Sequence, residues 1–387
     1  MEAFKILVVD DEPDLELLLR QRFRKELKER KFEFVFAGNG QEALDKLSGD
    51  ESIDLIMSDI NMPVMDGLTF LLRLGDVNRP LKTVIVSAYG DMQNIRTAMN
   101  RGAYDFLMKP IDFDDFEVTI RKTRNALDEI KQGEQARHRL TAIQHELSVA
   151  TRIQQSILPR VFPPFPDRKE FSIYASMTPA RHVGGDFYDF FFIDDDRLGV
   201  VIGDVSGKGV PAAIFMAVSR TLIRATAMQG GAAADCLRYA NSVLYRQSDP
   251  SMFVTIFYGI LNTKTGQLEY SVGGHNPPYL VSAKDGARVM DVEGGMVVGI
   301  LEKAQFMTET IDLRPGETIF LYTDGVTEAE DKELNPFSDE RLLSVLENAK
   351  NGTVERMVGD VLADVGTHCA GAIQSDDITA MALRYEG

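Results

Sequence analysis

Cysteine is scarce in this sequence, with two residues among 387, Cys236 and Cys369. They lie far apart and form no CxxC pair, which excludes a thiolate zinc cluster and fits a reducing compartment. Basic residues are also few, since 42 Lys and Arg against 59 Asp and Glu give a net charge of −17. Because nucleic acids and anionic membranes demand basic patches, we expect neither as a main partner.

Long apolar runs are missing as well. No run approaches the roughly 20 residues needed to span a bilayer, so we expect a cytoplasmic protein without a membrane segment. The one basic stretch, RQRFRKELKERK at 20–31, carries apolar residues at helical spacing and interleaved glutamates, which is typical of a solvated helix face. At 387 residues the chain is longer than one ordinary domain, so two or more domains are expected.

Short apolar runs alternate with helical stretches over residues 1–120. This alternation predicts an α/β domain with a doubly wound parallel sheet, in which ligands bind at the carboxyl ends of the strands. Clustered carboxylates need a compensating cation, and hard oxygen ligands suit Mg²⁺. Five polar residues follow the apolar runs and are expected to meet at that edge: Asp10, Asp11, Asp59, Ser87 and Lys109.

The motifs VVDDEP, SDINMPVMDG, VSAYGD and GAYDFLMKP resemble those of the receiver domain of two-component response regulators. The resemblance covers the whole of 1–120 and implies a five-stranded sheet. It implies that Asp59 accepts a phosphoryl group from a histidine kinase or a phosphotransfer protein. Mg²⁺ would be held by Asp10, Asp11, Asp59 and the carbonyl of Asn61. Ser87 would bond the phosphoryl oxygen, Lys109 would neutralise its charge, and Phe106 stands at the aromatic switch position.

Residues 121–158 stay polar and helical, with Gly133 as the one turn signal. Apolar residues recur at 3–4–3 spacing on both sides of Gly133, and Gln154 occupies one position of the later apolar seam. The spacing predicts a coiled-coil-like connector, and through it a homodimer, with a change of phase at Gly133. A helix packed on its own domains is the alternative.

Residues 159–387 are rich in predicted strands. Two of them, 252–261 and 267–274, are joined by NTKTG, which is typical of a hairpin loop. Hairpin-linked strands with grouped helices indicate an α+β domain, an antiparallel β-sandwich flanked by helices. The helices are predicted at about 210–228, 233–246, 340–348 and 353–368.

The segment IGDVSGKGVPA at 202–212 raises the question of a nucleotide-binding loop. A Walker A loop requires G-x-x-x-x-G-K-[ST]. Here three residues separate Gly203 from Gly207, and Lys208 is followed by Gly209 where the motif needs a hydroxyl. The segment is therefore not a nucleotide-binding loop, and its informative residue is Asp204, where the apolar strand ends.

Three other aspartates share the setting of Asp204 beside a strand or a glycine turn: Asp186 in VGGDFYDFF, Asp324 in LYTDGVTEA and Asp376 in SDDITAMAL. Glycines let the backbone carry such carboxylates towards a common point. Four aspartates without convergent histidines favour Mg²⁺ or Mn²⁺ over zinc. One shared carboxylate can bridge two such ions, which polarise a water and hold phosphoryl oxygens. The four are therefore the candidate catalytic residues.

Residues 170–386 resemble the PPM family of metal-dependent serine/threonine phosphatases, because VGGDFYD, GDVSGKGVPAA, GGHNPP, YTDGVTEA and DDIT occur in the family's order. The match is to the bacterial branch that regulates sporulation and stress sigma factors, and 146–159 is similar to the linker helix that precedes one group of them. The resemblance implies that Asp204 bridges two Mn²⁺ or Mg²⁺ ions, and that an activated water attacks without a phospho-enzyme. Further implied ligands are Asp186, Asp324, Asp376, the Val205 carbonyl and Asp377, which stands where many members have Asn.

Three neighbouring residues have open roles. His275 in GGHNPP is either a general acid or part of a structural turn. Lys208 is a candidate contact to the substrate phosphate. No residue clearly matches the phosphate-binding arginine of eukaryotic members, and Arg181 is the nearby candidate.

The resemblances together imply a receiver domain at 1–120, a helical connector at 121–158 and a phosphatase domain at 159–387. The expected function is metal-dependent dephosphorylation of phosphoserine or phosphothreonine on a protein, controlled by phosphorylation of Asp59. The substrate is expected to be an anti-sigma-factor antagonist. The alternative is a catalytically inactive phosphatase-like module that sequesters a partner protein, and the presence of all four aspartates argues against it.

Overall fold

A computed structural model describes residues 3–75, 77, 79–88, 91–247, 249 and 251–387. The chain divides into two compact units, Met1–Ile143 and Gln144–Gly387, each with its own hydrophobic core. The division falls inside a long helix, whereas the sequence predicts boundaries at 120 and 158. Those domain boundaries therefore stay predictions.

The N-terminal unit is built on a parallel sheet with helices on both faces. Its strands are β1 (Phe4–Val9), β2 (Phe32–Ala37), β3 (Ile53–Asp59), β4 (Lys82–Ala88) and β5 (Asp105–Lys109). Its helices are α1 (Pro13–Arg22), α2 (Arg24–Lys28), α3 (Gly40–Gly49), α4 (Gly67–Leu74) and α5 (Met92–Asn100). The five strands are all parallel and lie in the order β2-β1-β3-β4-β5, which confirms the doubly wound fold.

Both faces of this sheet are covered, which explains its continuous apolar strands. In β1, Ile6 and Val8 belong to one core cluster, while Leu7 and Val9 belong to another. A strand that is buried on both sides has no polar face and therefore shows no alternation. The polar residues come where the strands end, and in a parallel sheet those ends share one edge.

The connector is helical, as predicted. Helix α6 (Phe113–Ile157) has 45 residues and continues through Gly133. Near its beginning Phe116 and Ile120 are buried in the N-terminal core, and near its end Gln154 is buried in the C-terminal unit. The coiled coil and the homodimer remain predictions.

The C-terminal unit contains two five-stranded antiparallel sheets. The first consists of β7 (Phe187–Phe192), β8 (Arg197–Val205), β9 (Val254–Asn262), β10 (Gln267–Gly273) and β13 (Glu309–Asp312), in the order β13-β10-β9-β8-β7. The second consists of β6 (Phe171–Thr178), β11 (Tyr279–Ser282), β12 (Gly286–Val289), β14 (Thr318–Tyr322) and β15 (Ile378–Tyr385), in the order β12-β11-β14-β15-β6.

The two sheets share one core, so the predicted sandwich is confirmed. Val200 of β8 and Leu383 of β15 belong to the same buried cluster. Helices α7 (Val210–Ala227) and α8 (Ala233–Gln247) pack on the first sheet, and α10 (Asp339–Ala349) and α11 (Val354–His368) pack on the second. Strands β12 and β13 were not predicted, because each has only four residues at the edge of its sheet.

Helix α7 is long and apolar enough, by length and composition, to cross a membrane. In this fold it packs against β8 and α8, and Phe215, Met216 and Ile223 are buried in the core of the C-terminal unit. One face of the helix is thus part of the core, whereas Val210, Ile214 and Val218 are exposed.

Candidate functional site

The first acidic site consists of Asp10, Asp11 and Asp59 at the carboxyl edge of the parallel sheet. Asp10 and Asp11 follow β1, and Asp59 is the last residue of β3. One ligating atom from each of the three lies within 4.8 Å of the others. The sequence placed these residues together correctly, and their oxygen donors suit Mg²⁺.

Lys109, the last residue of β5, balances the charge of this site. Its Nζ lies 2.6 Å from Asp59 Oδ2 and 2.9 Å from both Asp10 Oδ2 and Glu12 Oε1. Burial opposes a charged lysine, but the hydrogen bonds to Asp59, Asp10 and Glu12 prevail and raise the pKa of Lys109. The lysine therefore remains charged, and the contact with Glu12 is one that the sequence did not suggest.

The other predicted residues of this region lie around Asp59. The Ser87 hydroxyl is buried, and no hydrogen-bond partner for it occurs in the described part of the chain. The backbone N–H groups of Ile60 and Asn61 donate to Asp59 Oδ1, at 2.6 and 3.3 Å. Phe106 is partly buried beside the α4–α5 side of the core. Lys109–Pro110 is cis, whereas Tyr89 and Gly90 of the VSAYGD motif lie outside the described residues.

The second acidic site consists of Asp186, Asp204, Asp324 and Asp376 in the C-terminal unit. Asp186 directly precedes β7 and Asp204 lies near the end of β8. These strands are antiparallel neighbours with Phe187 opposite Gly203, so the two aspartates face each other across the ladder. The two carboxyl groups are close enough that each affects the pKa of the other.

Two threonines of the second sheet hold Asp186 in place. Its Oδ2 accepts hydrogen bonds from Thr323 Oγ1 at 2.7 Å and from Thr379 Oγ1 at 2.6 Å. Thr323 follows β14 and Thr379 lies at the start of β15, and Thr323 N–H donates to Thr379 O. Both threonines lie in motifs quoted above, Thr323 in YTDGVTEA and Thr379 in DDIT, but the sequence suggested no role for either.

Asp324 and Asp376 come from the second sheet. Asp324 begins the short helix α9 (Asp324–Thr327), just after β14, and Asp376 lies two residues before β15. Both place negative charge close to Asp204. Lys208 pairs with Asp376, with Nζ 2.9 Å from its Oδ2 and 2.6 Å from Ser375 O.

Burial and mutual repulsion make this site receptive to protons or cations. Burial, then the charges of Asp204 and Asp377, raise the pKa of Asp186 well above its ordinary value. Burial, then Asp324, raise the pKa of Asp204 to about 7. Within the described ranges no Lys, Arg or His forms an ion pair with Asp186 or Asp204. An oxygen-only donor set of this kind fits a hard divalent cation.

The ligating atoms of the second site are less closely grouped than those of the first. Among the described residues, three ligating atoms within 4.8 Å of one another occur only at the first site. Asp186 and Asp204 form one contact pair, and Asp324 and Asp376 are electrostatic neighbours. The assignment of all four to one metal site stays a prediction.

Asp377 and Val205 border the loop that leads to Asp186. Asp377 Oδ1 accepts from Ala180 N at 2.8 Å, and its Oδ2 accepts from Gly185 N at 2.6 Å. The Val205 carbonyl lies against Gly185, where an added Cβ would come within 2.9 Å of it. This geometry gives Asp377 a role in holding the loop, while metal binding by Asp377 and Val205 stays a prediction.

The structure gives contacts for the residues whose roles were left open by the sequence. His275 is buried, and Nδ1 lies 2.9 Å from Thr255 Oγ1. Burial lowers its pKa to about 4, so the ring is neutral at pH 7, which favours the structural turn over the general acid. Arg181 is exposed beside Gly209. The positive φ of Gly207 and Gly209 shows why this loop is rich in glycine.

Two family models match the chain. The response regulator receiver domain matches residues 6–121, and stage II sporulation protein E (SpoIIE) matches residues 194–386. The first match lies within the unit Met1–Ile143 and the second within the unit Gln144–Gly387, and Asp186 lies before the start of the second match.

Individual relatives are similar to about three fifths of the chain. Protein IcfG of Synechocystis sp. is 32% identical over 266 residues, covering 62% of this chain and 41% of IcfG. Phosphoserine phosphatase RsbU of Bacillus subtilis is 30% identical over 250 residues, covering 62% of this chain and 70% of RsbU. The alignment thus spans less than half the length of IcfG. The solved SiaA-PP2C domain of Pseudomonas aeruginosa, at 20% identity, has a TM-score of 0.57 over 64% of this chain and 98% of that domain, which establishes the fold.

Proposed function

This chain belongs to the response regulators that combine a receiver domain with a phosphatase domain of the SpoIIE type, and we propose that it removes phosphate from phosphoserine or phosphothreonine on a protein with the help of divalent cations. The observation that carries the proposal is that buried Asp186 lies opposite Asp204 across the β7–β8 ladder, and that neither aspartate has a basic partner among the described residues. Such a pair is unfavourable at neutral pH unless a cation accompanies it.

The residues of the second acidic site have different roles in this proposal. Asp204, Asp186, Asp324 and Asp376 would hold the ions, with the Val205 carbonyl as a further ligand. Two Mn²⁺ or Mg²⁺ ions bound there would supply an activated water and charge stabilisation for the transferred phosphoryl group. Thr323 and Thr379 fix the orientation of Asp186, and Lys208 keeps Asp376 partly neutralised until it is needed as a ligand.

The receiver domain supplies the control. Asp59 accepts a phosphoryl group from a histidine kinase or a phosphotransfer protein while Asp10, Asp11 and the Asn61 carbonyl hold Mg²⁺. Ser87 and Lys109 then bind the phosphoryl oxygens, and Phe106 changes its packing. The altered receiver changes the packing of helix α6, which shifts the phosphatase between states of different activity.

The proposed substrate and partners are inferred by analogy with the relatives. RsbU is named a phosphoserine phosphatase, and by analogy the substrate of this chain is a phosphorylated anti-sigma-factor antagonist. A cytoplasmic location suits these partners, and a homodimer formed through α6 suits the exposed Leu140 and Ile143.

The test compares two aspartates of one β-hairpin. In the full chain with Mn²⁺ or Mg²⁺, we expect phosphate release from phosphoserine and phosphothreonine proteins. Asp204→Asn should reduce the rate by more than about 100-fold, since even residues that merely support metal ligands cost 10–100-fold. Asp195→Asn, exposed in the turn between β7 and β8, should leave the rate unchanged.

The same experiment decides against the inactive module. Full activity of Asp204→Asn would contradict the catalytic site. No phosphate release by the wild-type protein with either cation, together with stable binding of the phosphoprotein, would establish the sequestering function instead.

A further inference from the structure

The loop that delivers Asp186 is held between two side chains from distant parts of the sequence. Its residues 183–186 are buried and lead directly into β7. On one side, Asp377 accepts the Gly185 N–H at 2.6 Å and lies 3.4 Å from the Asp186 nitrogen. On the other side, helix α6 contacts Gly184 of the loop. The position of Asp186 therefore depends on both supports.

Gln154 of α6 pairs with Gly184 in both directions. Its Nε2 donates to Gly184 O at 2.6 Å, and its Oε1 accepts from Gly184 N–H at 3.1 Å. The side chain is 6% exposed, so water cannot readily replace either bond. One turn earlier, Thr151 Oγ1 lies 2.6 Å from His182 O. The same face of the helix thus contacts the loop twice.

Gly184 packs closely against Asp377, with no space for a side chain between them. A Cβ at Gly184 would lie 2.3 Å from Asp377 Oδ2. Without Gln154, the buried N–H and C=O of Gly184 would both lose their partners, which is unfavourable in the interior. The loop would then rearrange away from Asp377, and Asp186 would move with it.

We infer that Gln154 is a positioning residue for Asp186, through which helix α6 determines the divalent-cation affinity of the second acidic site. The inference rests on the proposed function only in taking Asp186 as a metal ligand. The inference also explains why the apolar seam of the connector contains a glutamine. Its side-chain amide supplies the hydrogen-bond partners of the Gly184 backbone in the loop 183–186.

The test uses three variants of the full chain. Gln154→Leu removes both hydrogen bonds, and Gln154→Glu keeps the acceptor but loses the donor. Gln155→Leu is the matched control, because Gln155 is the next residue on the same helix and bonds only Arg160 among the described contacts. Mn²⁺ binding is measured by titration calorimetry, and binding that persists in Asp204→Asn is assigned to the first acidic site and subtracted.

Gln154→Leu is expected to weaken Mn²⁺ binding at the second site by about 10–100-fold and to speed hydrogen exchange of the Gly184 amide at least tenfold. Gln154→Glu should have an intermediate effect, and Gln155→Leu none. At saturating Mn²⁺ the KM of Gln154→Leu should approach the wild-type value. If Gln154→Leu does not fold, Gln154→Glu provides the decisive comparison.

Wild-type Mn²⁺ affinity in Gln154→Leu or Gln154→Glu would overturn the inference, as would equal weakening by Gln155→Leu. Absence of Mn²⁺ binding at the second site of the wild-type protein would overturn it too. A chain that binds Mn²⁺ in a Gln154-dependent way but hydrolyses no phosphoprotein would contradict the proposed function and support the positioning role.

Discussion

The two acidic sites of this chain gather aspartates at strand ends, but they balance the charge differently. In the first, Lys109 Nζ lies 2.6 Å from Asp59 and 2.9 Å from Asp10. In the second, Asp186 is buried and faces Asp204 across the β7–β8 ladder, with no basic partner for either in the part of the chain that the structure describes. An internal lysine balances the negative charge of the first site, whereas burial and mutual repulsion make the second site receptive to a proton or a cation.

The largest expected effect is that of replacing Asp59, which should affect the function of the first site and leave that of the second unchanged. Asp59→Asn should abolish phosphorylation by a small acyl-phosphate donor, because an amide cannot form the acyl phosphate. Hydrolysis of phosphoprotein by the unphosphorylated protein should remain at the wild-type rate, because the second site is intact. Phosphate incorporation and phosphate release are measured in parallel.

The reciprocal control is Asp204→Asn, which should incorporate phosphate normally while losing hydrolysis. An Asp59→Asn protein that still incorporates phosphate would show that another residue is the acceptor.

A second prediction concerns stability and pH without metal. Burial raises the pKa of Asp204 from 3.8 in the unfolded chain to about 7 in the folded protein. A raised folded pKa stabilises the fold below the unfolded pKa, and this contribution is lost as the pH rises through 7. In EDTA the free energy of unfolding of the C-terminal unit should therefore decrease between pH 4 and pH 8, by on the order of 2–4 kcal/mol.

Asp204→Asn should show a smaller decrease, because the amide does not ionise while Asp186, whose pKa is also raised by burial, remains. Mn²⁺ at about 100 times its Kd should restore about 2.7 kcal/mol to the wild-type protein at pH 8 and nothing to the variant. Denaturant titrations at each pH give the free energies. A decrease of the same size in Asp204→Asn would show that other groups cause the pH dependence.

The smallest expected effect comes from the lysine of the second site. Lys208 pairs with Asp376, and both side chains are about one-third exposed. Exposed pairs contribute roughly 0.2–1 kcal/mol, so Lys208→Met should tighten Mn²⁺ binding by at most about fivefold.

Lys303→Met, at an exposed position outside the site, is the control. A contact between Lys208 and the substrate phosphate predicts instead a higher KM with unchanged Mn²⁺ affinity. Titration calorimetry and steady-state kinetics together distinguish the two roles.

Much of the fold was predictable because local patterns and tertiary structure agree. Strands β1, β3 and β4 are continuous apolar runs, since both faces of their sheet are covered. The NTKTG hairpin joins β9 and β10 as expected. The short edge strands β12 and β13 were missed, because four half-exposed residues leave no distinct pattern.

The candidate sites were predictable in their residue types but not in their supports. The positions of Asp10, Asp59, Asp186 and Asp204 at strand ends follow from the motifs. The contact of Glu12 with Lys109 and the threonine hydroxyls on Asp186 join residues 97, 137 and 193 positions apart. No local pattern encodes such distances.

The sequence by itself determined the two-part organisation, the parallel and antiparallel sheets and the aspartates at their edges. Burial makes a strand apolar on one or both of its faces, and a polar residue marks where the apolar run ends. Only the tertiary structure decided how those aspartates are neutralised and held. Lys109 pairs with Asp59 at the first site, whereas no described basic residue pairs with Asp186 or Asp204 at the second. Gln154 supports the loop of Asp186 from helix α6, which the sequence predicts only as a connector. Electrostatic balance and buried hydrogen bonds depend on distances of a few ångströms between remote residues, and folding alone brings those residues together.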